Sequence, residues 1–240
     1  MTRTTSIFLL LFLSTAVLAK KEPKIKISRQ ELPNDKIIKL KNGDLKLGAI
    51  TLHKKYKEIS FPAVFSPSVD IEVLIATAKG RTHESLVQTD ASPFQTEIML
   101  YLLGADNEIK RPVKNKRGSL IDIDIEWIGP KGNVLRDAIE NFVLDRRTNS
   151  VMKRQGFYFV GSSVIDNYPQ AEGAGNIALL YSHPATVLDN VDPESHLDGI
   201  HGTMPNISYP LAGSPIRVIM SIRPEKKLTP KVIKEAQKRN

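Results

Sequence analysis

In Ser119-Leu120-Ile121-Asp122-Ile123-Asp124-Ile125-Glu126-Trp127 the residues from Ile121 onward alternate without a break. Successive side chains of an extended chain point to opposite faces. Ile121, Ile123, Ile125 and Trp127 therefore share one face, and Asp122, Asp124 and Glu126 share the other. A strand apolar on one side and charged on the other belongs to a sheet that covers a core and turns its second face to water. Working outward, Gly129-Pro130-Lys131-Gly132-Asn133 reads as a turn. Beyond it Val134, Leu135, Ala138, Ile139, Phe142 and Val143 fall at helical spacing, which predicts a short helix. Ile216, Val218, Met220 and Ile222 alternate as a last strand, and Asp70 to Ala76, Phe157 to Val160 and Asn176 to Tyr181 add further strands. Lys79-Gly80 turns the chain into a returning strand over Thr82 to Gln88.

The best helix signal begins at Ser92. Ser92 is an N-cap, Pro93 suits the first helical position, and Gln95 completes a capping box. Ile98, Met99, Leu102 and Leu103 supply an apolar face, and Gly104 ends the helix. Strands outnumber helices and do not alternate strictly with them. The expected class is α+β, a mostly antiparallel sheet with one or two short packed helices.

Arg3 followed by the apolar run Ile7 to Leu13, Val17-Leu18-Ala19 and then Lys20-Lys21 has the pattern of a secretory signal peptide cleaved after Ala19. The run falls short of the roughly 20 residues a membrane span needs. The expected product is exported, periplasmic or extracellular. Residues 20–46 are polar and lysine-rich and read as a basic linker, 47–222 as the folded domain, and 223–240 as a basic C-terminal tail. The two flanks carry net +5 each and the body −3, so the overall +8 and the pI near 9.5 describe the flanks. For an exported chain this favours an envelope protein or an anionic glycan or lipid surface as partner and disfavours nucleic acid.

The 240 residues contain no cysteine. That excludes disulfides, a thiolate nucleophile, a lipid-modified N-terminal cysteine and the usual ligation of an iron–sulfur cluster. With 41% apolar residues, packing alone must hold the domain together.

Three constellations could carry chemistry. Lys79, His83, Glu84 and Ser85 form a polar cluster that can bind a ligand. If 82–88 is extended, His83 and Ser85 share a face as a possible dyad, while Glu84 points away and cannot orient the histidine. From His183 to His201 the chain holds His183, Asp189, Asp192, Glu194, His196, Asp198 and His201. His183, His196, His201 and Asp198 are the candidate metal ligands, although their spacing fits no standard motif. Asp122, Asp124 and Glu126 are the third group, able to hold calcium or a basic partner, or simply to face solvent, with the basic loop Lys110 to Arg117 within reach.

Lys79-Gly80 followed by His83-Glu84-Ser85-Leu86 resembles the glycine-lysine-x-histidine-glutamate-serine-leucine signature of the YdjY-domain family. Glu72-Val73-Leu74, Thr89, Leu103-Gly104, the strand of Trp127, Asp145 to Met152, Gly161-Ser162 and Val187-Leu188-Asp189 are also similar to that family, over residues 45–222. The resemblance implies an exported bacterial domain without an established reaction. Some members carry a ferredoxin-like label, from which this cysteine-free chain departs. The expected function is a non-catalytic ligand- or partner-binding domain. A second reading is an envelope hydrolase or metal-dependent enzyme using His83 with Ser85 or the 183–201 loop. A third is a basic-tailed adhesion or scaffolding protein.

Overall fold

The computed structural model describes residues 32–33, 35–107, 118–205 and 207–224. The expected signal peptide, the basic loop at 110–117 and nearly all of the C-terminal tail lie outside these residues.

In chain order the strands are β1 (Ile38–Lys39), β2 (Leu45–Leu47), β3 (Ile50–His53), β4 (Glu58–Phe65), β5 (Val73–Ala76), β6 (Ser85–Gln88), β7 (Leu120–Ile128) and β8 (Val134–Ala138). They continue as β9 (Val143–Asp145), β10 (Ser150–Val151), β11 (Phe157–Phe159), β12 (Val164–Ile165), β13 (Tyr168–Pro169), β14 (Asn176–Leu179), β15 (Leu188–Asn190), β16 (His201–Thr203) and β17 (Pro215–Ile222). The helices are α1 (Pro93–Leu103) and α2 (Gln170–Ala174).

Eight strands close on themselves in the order β4-β17-β7-β11-β15-β14-β5-β6, with β6 returning to β4. This closed barrel corrects the expected α+β class: the described chain is mostly β, with two α-helices. The physical reason lies in the strands that complete the ring. β11 and β15 have three residues each, and β5, β6 and β14 four, too short to print a period. The ring also needs two parallel pairings, β5 with β6 and β14 with β15. The segment after Lys79-Gly80 thus returns alongside β5 in the same direction. The expected helix over 134–143 is instead β8, a 3-10 turn at Ile139–Phe142, and β9. β8 pairs with β7 from Asp124↔Ala138 to Ile128↔Val134, and backbone spent on that ladder is unavailable to a helix.

The core fills the ring. Ile59, Phe61, Ala63 and Phe65 alternate inward from β4, Ile216, Val218 and Met220 from β17, and Ile121, Ile123 and Ile125 from β7. α1 packs on β3, β4 and β14. Ser92 accepts the Gln95 N–H at 3.1 Å, and Gly104 ends the helix in the left-handed region at φ 103°.

β1, β2 and β3 form an antiparallel wing attached to β4, and β8 forms a second wing on β7. β1 and the start of β2 fall within the stretch read as a linker. The ribbon β3-β4-β17-β7-β8 presents one continuous outer face, and the site lies on it.

Candidate functional site

The residues singled out from sequence disperse into structural roles. Lys79 Nζ pairs with Glu172 Oε1 at 3.0 Å. Glu172, buried on α2, also accepts from Ser92 Oγ at 2.6 Å and from Phe94 N–H at 3.3 Å. It thereby satisfies the first turn of α1, whose N–H groups have no partner within the helix. His83 sits in a 3-10 turn, Thr82–Glu84, with its side chain 75% exposed and 3.6 Å from Glu84 Oε1. Ser85 is fully buried and its Oγ donates to the Thr82 carbonyl at 2.9 Å. No hydrogen bond joins His83 to Ser85. Glu84 pairs with Arg81, which also pairs with Glu72 and lies over the Tyr181 ring.

The four candidate metal ligands are likewise separated. His183 is exposed, and its Nδ1 accepts the Ala185 N–H at 3.0 Å. His196 and Asp198 are exposed on a loop. His201 is buried on β16, in register with Asp145. Among the described residues no group of three or more His, Asp or Glu side chains is placed to hold a metal ion. Asp145 and Asp192 converge instead on Arg147, which also binds Glu194 at 2.6 Å. The guanidinium holds both aspartates below the usual carboxylate range, against the opposing effect of burial.

The acidic face of β7 is neutralised strand by strand. Asp122 pairs with Arg223, Asp124 with Arg136 and Arg154, and Glu126 with Arg217. Arg136 also reaches Glu58 on β4 at 3.2 Å, strapping across β7 and β17. Ile219, flanked in register by Ser60 and Asp124, is only 2% exposed although its strand turns that position outward.

Among the described residues, two of the open surface grooves hold candidate polar groups. One, of about 380 Å³, is lined by Gly161, Ser162, Ser163, Ser182, His183 and Asp189. There Ser182 Oγ donates to Asp189 Oδ2 at 2.8 Å, and His183 is turned to its own backbone, so no serine has a histidine base. The other, of about 510 Å³, crosses β3, β4, β17 and β7 and is lined by Thr51, His53, Ser60, Pro62, Trp127 and Arg217 among others.

In that larger groove a serine and a histidine line up with an aspartate behind them. Ser60 Oγ is 2.8 Å from His53 Nε2, and His53 Nδ1 is 3.0 Å from Asp44 Oδ2. The hairpin builds it. His53 closes β3, the turn 54–57 follows, and Thr51↔Ser60 and His53↔Glu58 are register partners. His53 and Ser60 are therefore diagonal neighbours on one face, within side-chain reach. Asp44 comes from the turn between β1 and β2, where Gly43 adopts φ 88° and the Leu40 N–H bonds the Asp44 carbonyl at 2.8 Å. Its carboxylate also accepts Lys54 N–H at 3.1 Å and Asn42 Nδ2 at 2.9 Å.

Burial acts to raise the Asp44 pKa, but the hydrogen bonds from His53, Lys54 and Asn42 outweigh it and hold the carboxyl below its ordinary value. An ionised carboxylate only accepts, so Nδ1 of His53 carries the proton. In the tautomer that carries the proton on Nδ1 alone, Nε2 is an acceptor for the Ser60 hydroxyl. The order Ser–His–Asp is that of a nucleophile, its base and the group that orients the base. The same bonds tie the β1–β2 turn to the β3–β4 hairpin.

Sequence reasoning missed this set. Its members lie in an expected linker and an unremarked hairpin. The available signal was a histidine and a serine flanking the polar turn Lys54-Lys55-Tyr56-Lys57, after an Asn-Gly-Asp turn.

No family model, curated protein or solved structure matches this chain.

Proposed function

We propose that this is an exported β-barrel domain that binds a small amphipathic molecule in the groove on its outer face. The groove itself carries the reading. At about 510 Å³ it lies in the range of small-molecule sites, and it combines apolar residues (Pro62, Trp127, Ile128, Pro215) with a few polar groups. Thr51, Ser60 and His53 offer hydrogen bonds at one side, and the Arg217–Glu126 pair at 3.0 Å offers both charges at the other. Ion pairs this exposed are worth about 0–1 kcal/mol, so a polar head group can displace either partner at small cost. Export is supported by the apolar run Ile7 to Leu13 and the Val17-Leu18-Ala19 boundary.

Trp127 is the sole tryptophan of the chain and lines the groove, so its emission reports occupancy. Decanoate, decylamine and octyl glucoside share an apolar body and differ in head group. At least one should shift Trp127 emission saturably, and Thr51→Tyr, which fills the groove, should abolish the shift with the far-UV spectrum unchanged. Emission indifferent to all three would sink the reading.

A further inference from the structure

We infer that Ser60 is an activated nucleophile that accepts acyl groups from esters bound in the groove. The inference rests on the groove being open to ligands, and it departs from the expectation of a non-catalytic domain. Three observations converge. The Ser60 hydroxyl lies at 2.8 Å from His53 Nε2, while Nδ1 on the far side of the ring is held at 3.0 Å by the Asp44 carboxylate. The orienting carboxylate is buried and held by the Lys54 N–H and Asn42 as well, so the ring has one orientation. Ser60 and His53 both line the groove, so a carbonyl carbon can reach the oxygen. Neither His83 with Ser85 nor His183 with Ser182 makes a serine–histidine bond, which leaves Ser60, among the described residues, as the serine with a base.

Water is the sole co-reactant the chemistry needs. As Ser60 Oγ bonds the carbonyl carbon, its proton passes to His53 Nε2. The tetrahedral adduct collapses, the ester C–O bond breaks, and the alcohol leaves with that proton. Water then attacks acyl-Ser60, giving its proton to Nε2. Collapse releases the carboxylic acid and returns the proton to Ser60. Asp44 stays ionised throughout and keeps the ring oriented.

The substrate class follows from what the groove lacks. Ser60 lies mid-strand, paired with Thr51 on one side and Ile219 on the other, so the ladder uses the neighbouring backbone N–H groups. Donors for a developing oxyanion must be side chains, and those lining the groove are Thr51 and Arg217, the Trp127 indole N–H being buried. Loss of one dedicated oxyanion donor costs about 10²–10³ in rate. The reaction is accordingly confined to reactive acyl donors such as activated esters, and it excludes amides.

A fluorophosphonate probe needs only groove access and an activated serine. Incubated with the full-length processed protein and mapped by mass spectrometry, it should label Ser60 in proportion to time. Ser60→Ala should abolish labelling, and His53→Gln should slow it by about 10²–10⁴, the usual worth of a general base. Ser163→Ala, in the other groove, should label like the parent. Slow hydrolysis of p-nitrophenyl butyrate should follow the same pattern. Circular dichroism and Trp127 emission establish that each variant is folded. Should His53→Gln fail to fold, Asp44→Asn supplies the test, with a comparable loss expected. No label on Ser60 of the folded parent overturns the inference, as does label undiminished in a folded His53 or Asp44 variant. Labelled Ser60 with Trp127 silent to all three amphiphiles would instead sink the binding reading alone.

Discussion

Two histidines in this chain face aspartates and end in opposite states. His53 is 26% exposed with both ring nitrogens bonded. His201 is 4% exposed, and its Nε2 has no hydrogen-bond partner among the described residues. Asp145 and Asp192 pull its pKa up, but burial prevails, aided by the charges of Arg147 and Arg146, and the pKa lies below the ordinary imidazole value. Leu197, Asp198, Gly199, Tyr181, Leu180, Ile71 and Glu72 surround the same small cavity as His201, of about 10 Å³, space for one water. A base whose pKa is depressed by folding stays neutral in the native state while the unfolded chain takes up the proton. Stability is therefore intact above about pH 6.5 and is lost as pH falls from there toward the native pKa. The aspartates bound by Arg147 have the same sign but act at lower pH, below the ordinary aspartate range. Urea unfolding at pH 7.5 and 5.5 should show a lower midpoint at 5.5, and His201→Gln or His201→Leu should remove most of that difference. Equal midpoints in the parent would refute it. His201 drew attention in the sequence as a metal ligand because three histidines lie within nineteen residues. Proximity along a chain does not reveal that β16 turns one of them into the core.

At the scale of elements, local signals read well and borrowed ones poorly. α1 was legible end to end because Ser92, Pro93 and Gly104 act through bonds inside the helix or one residue beyond it, although the Gln95 side chain donates to Asp35 instead of closing the capping box. Even there the buried face runs through Thr96, Met99 and Leu100, and Leu102 is 47% exposed. Ser92 also donates to buried Glu172, so Ser92→Ala removes the acceptor of the Gln95 N–H and one bond from a buried carboxylate. The expected loss is about 1–2 kcal/mol, the upper part of the range for N-caps, measured by denaturant unfolding. Ser92→Asp would place a second carboxylate against Glu172 and should not rescue it, whereas a free-standing helix would accept aspartate equally well. The segment 134–143 shows why periodicity misled. Its apolar positions fit a helix, but β7 offers a ladder partner, and the spacing of one segment carries no record of its neighbour. The segment around His83-Glu84-Ser85 misread for a related reason. Arg81 and the 3-10 turn consume the first half of the expected strand, so His83 turns to solvent while Ser85 enters the core.

For the whole molecule, the decisive pairings are distant in sequence. β4 shares one edge between β3 and β6, pairing Glu58–Ser60 with the first and Val64–Phe65 with the second. Thr89 Oγ1 caps the intervening Pro62 carbonyl at 2.7 Å. Alternation identified β7 and β17 as strands with inward and outward faces, and nothing local said that β17, the last described strand, lies between β7 and β4. Its register runs over seven residues with β4 and six with β7, making it the seam that joins the first strands to the middle of the chain. Ile216, Val218 and Met220 are buried there, and each such side chain contributes about 1.5–3 kcal/mol. Losing all three, with both ladders, approaches the entire 5–15 kcal/mol by which a domain is stable. A chain ending at Ala212 should therefore show no cooperative unfolding transition and no dispersed amide spectrum. A chain ending at Pro224, which keeps Arg223 on Asp122 and the Gln155 carbonyl, should unfold cooperatively with a midpoint close to that of the full chain. If the shorter chain were folded, β17 would be an ornament on a barrel closed without it. The same topology sets the rate. The barrel cannot close until β17 has been made and has inserted between strands that precede it by some 90 and 150 residues, and non-local pairing of this kind slows folding to the millisecond-to-second range.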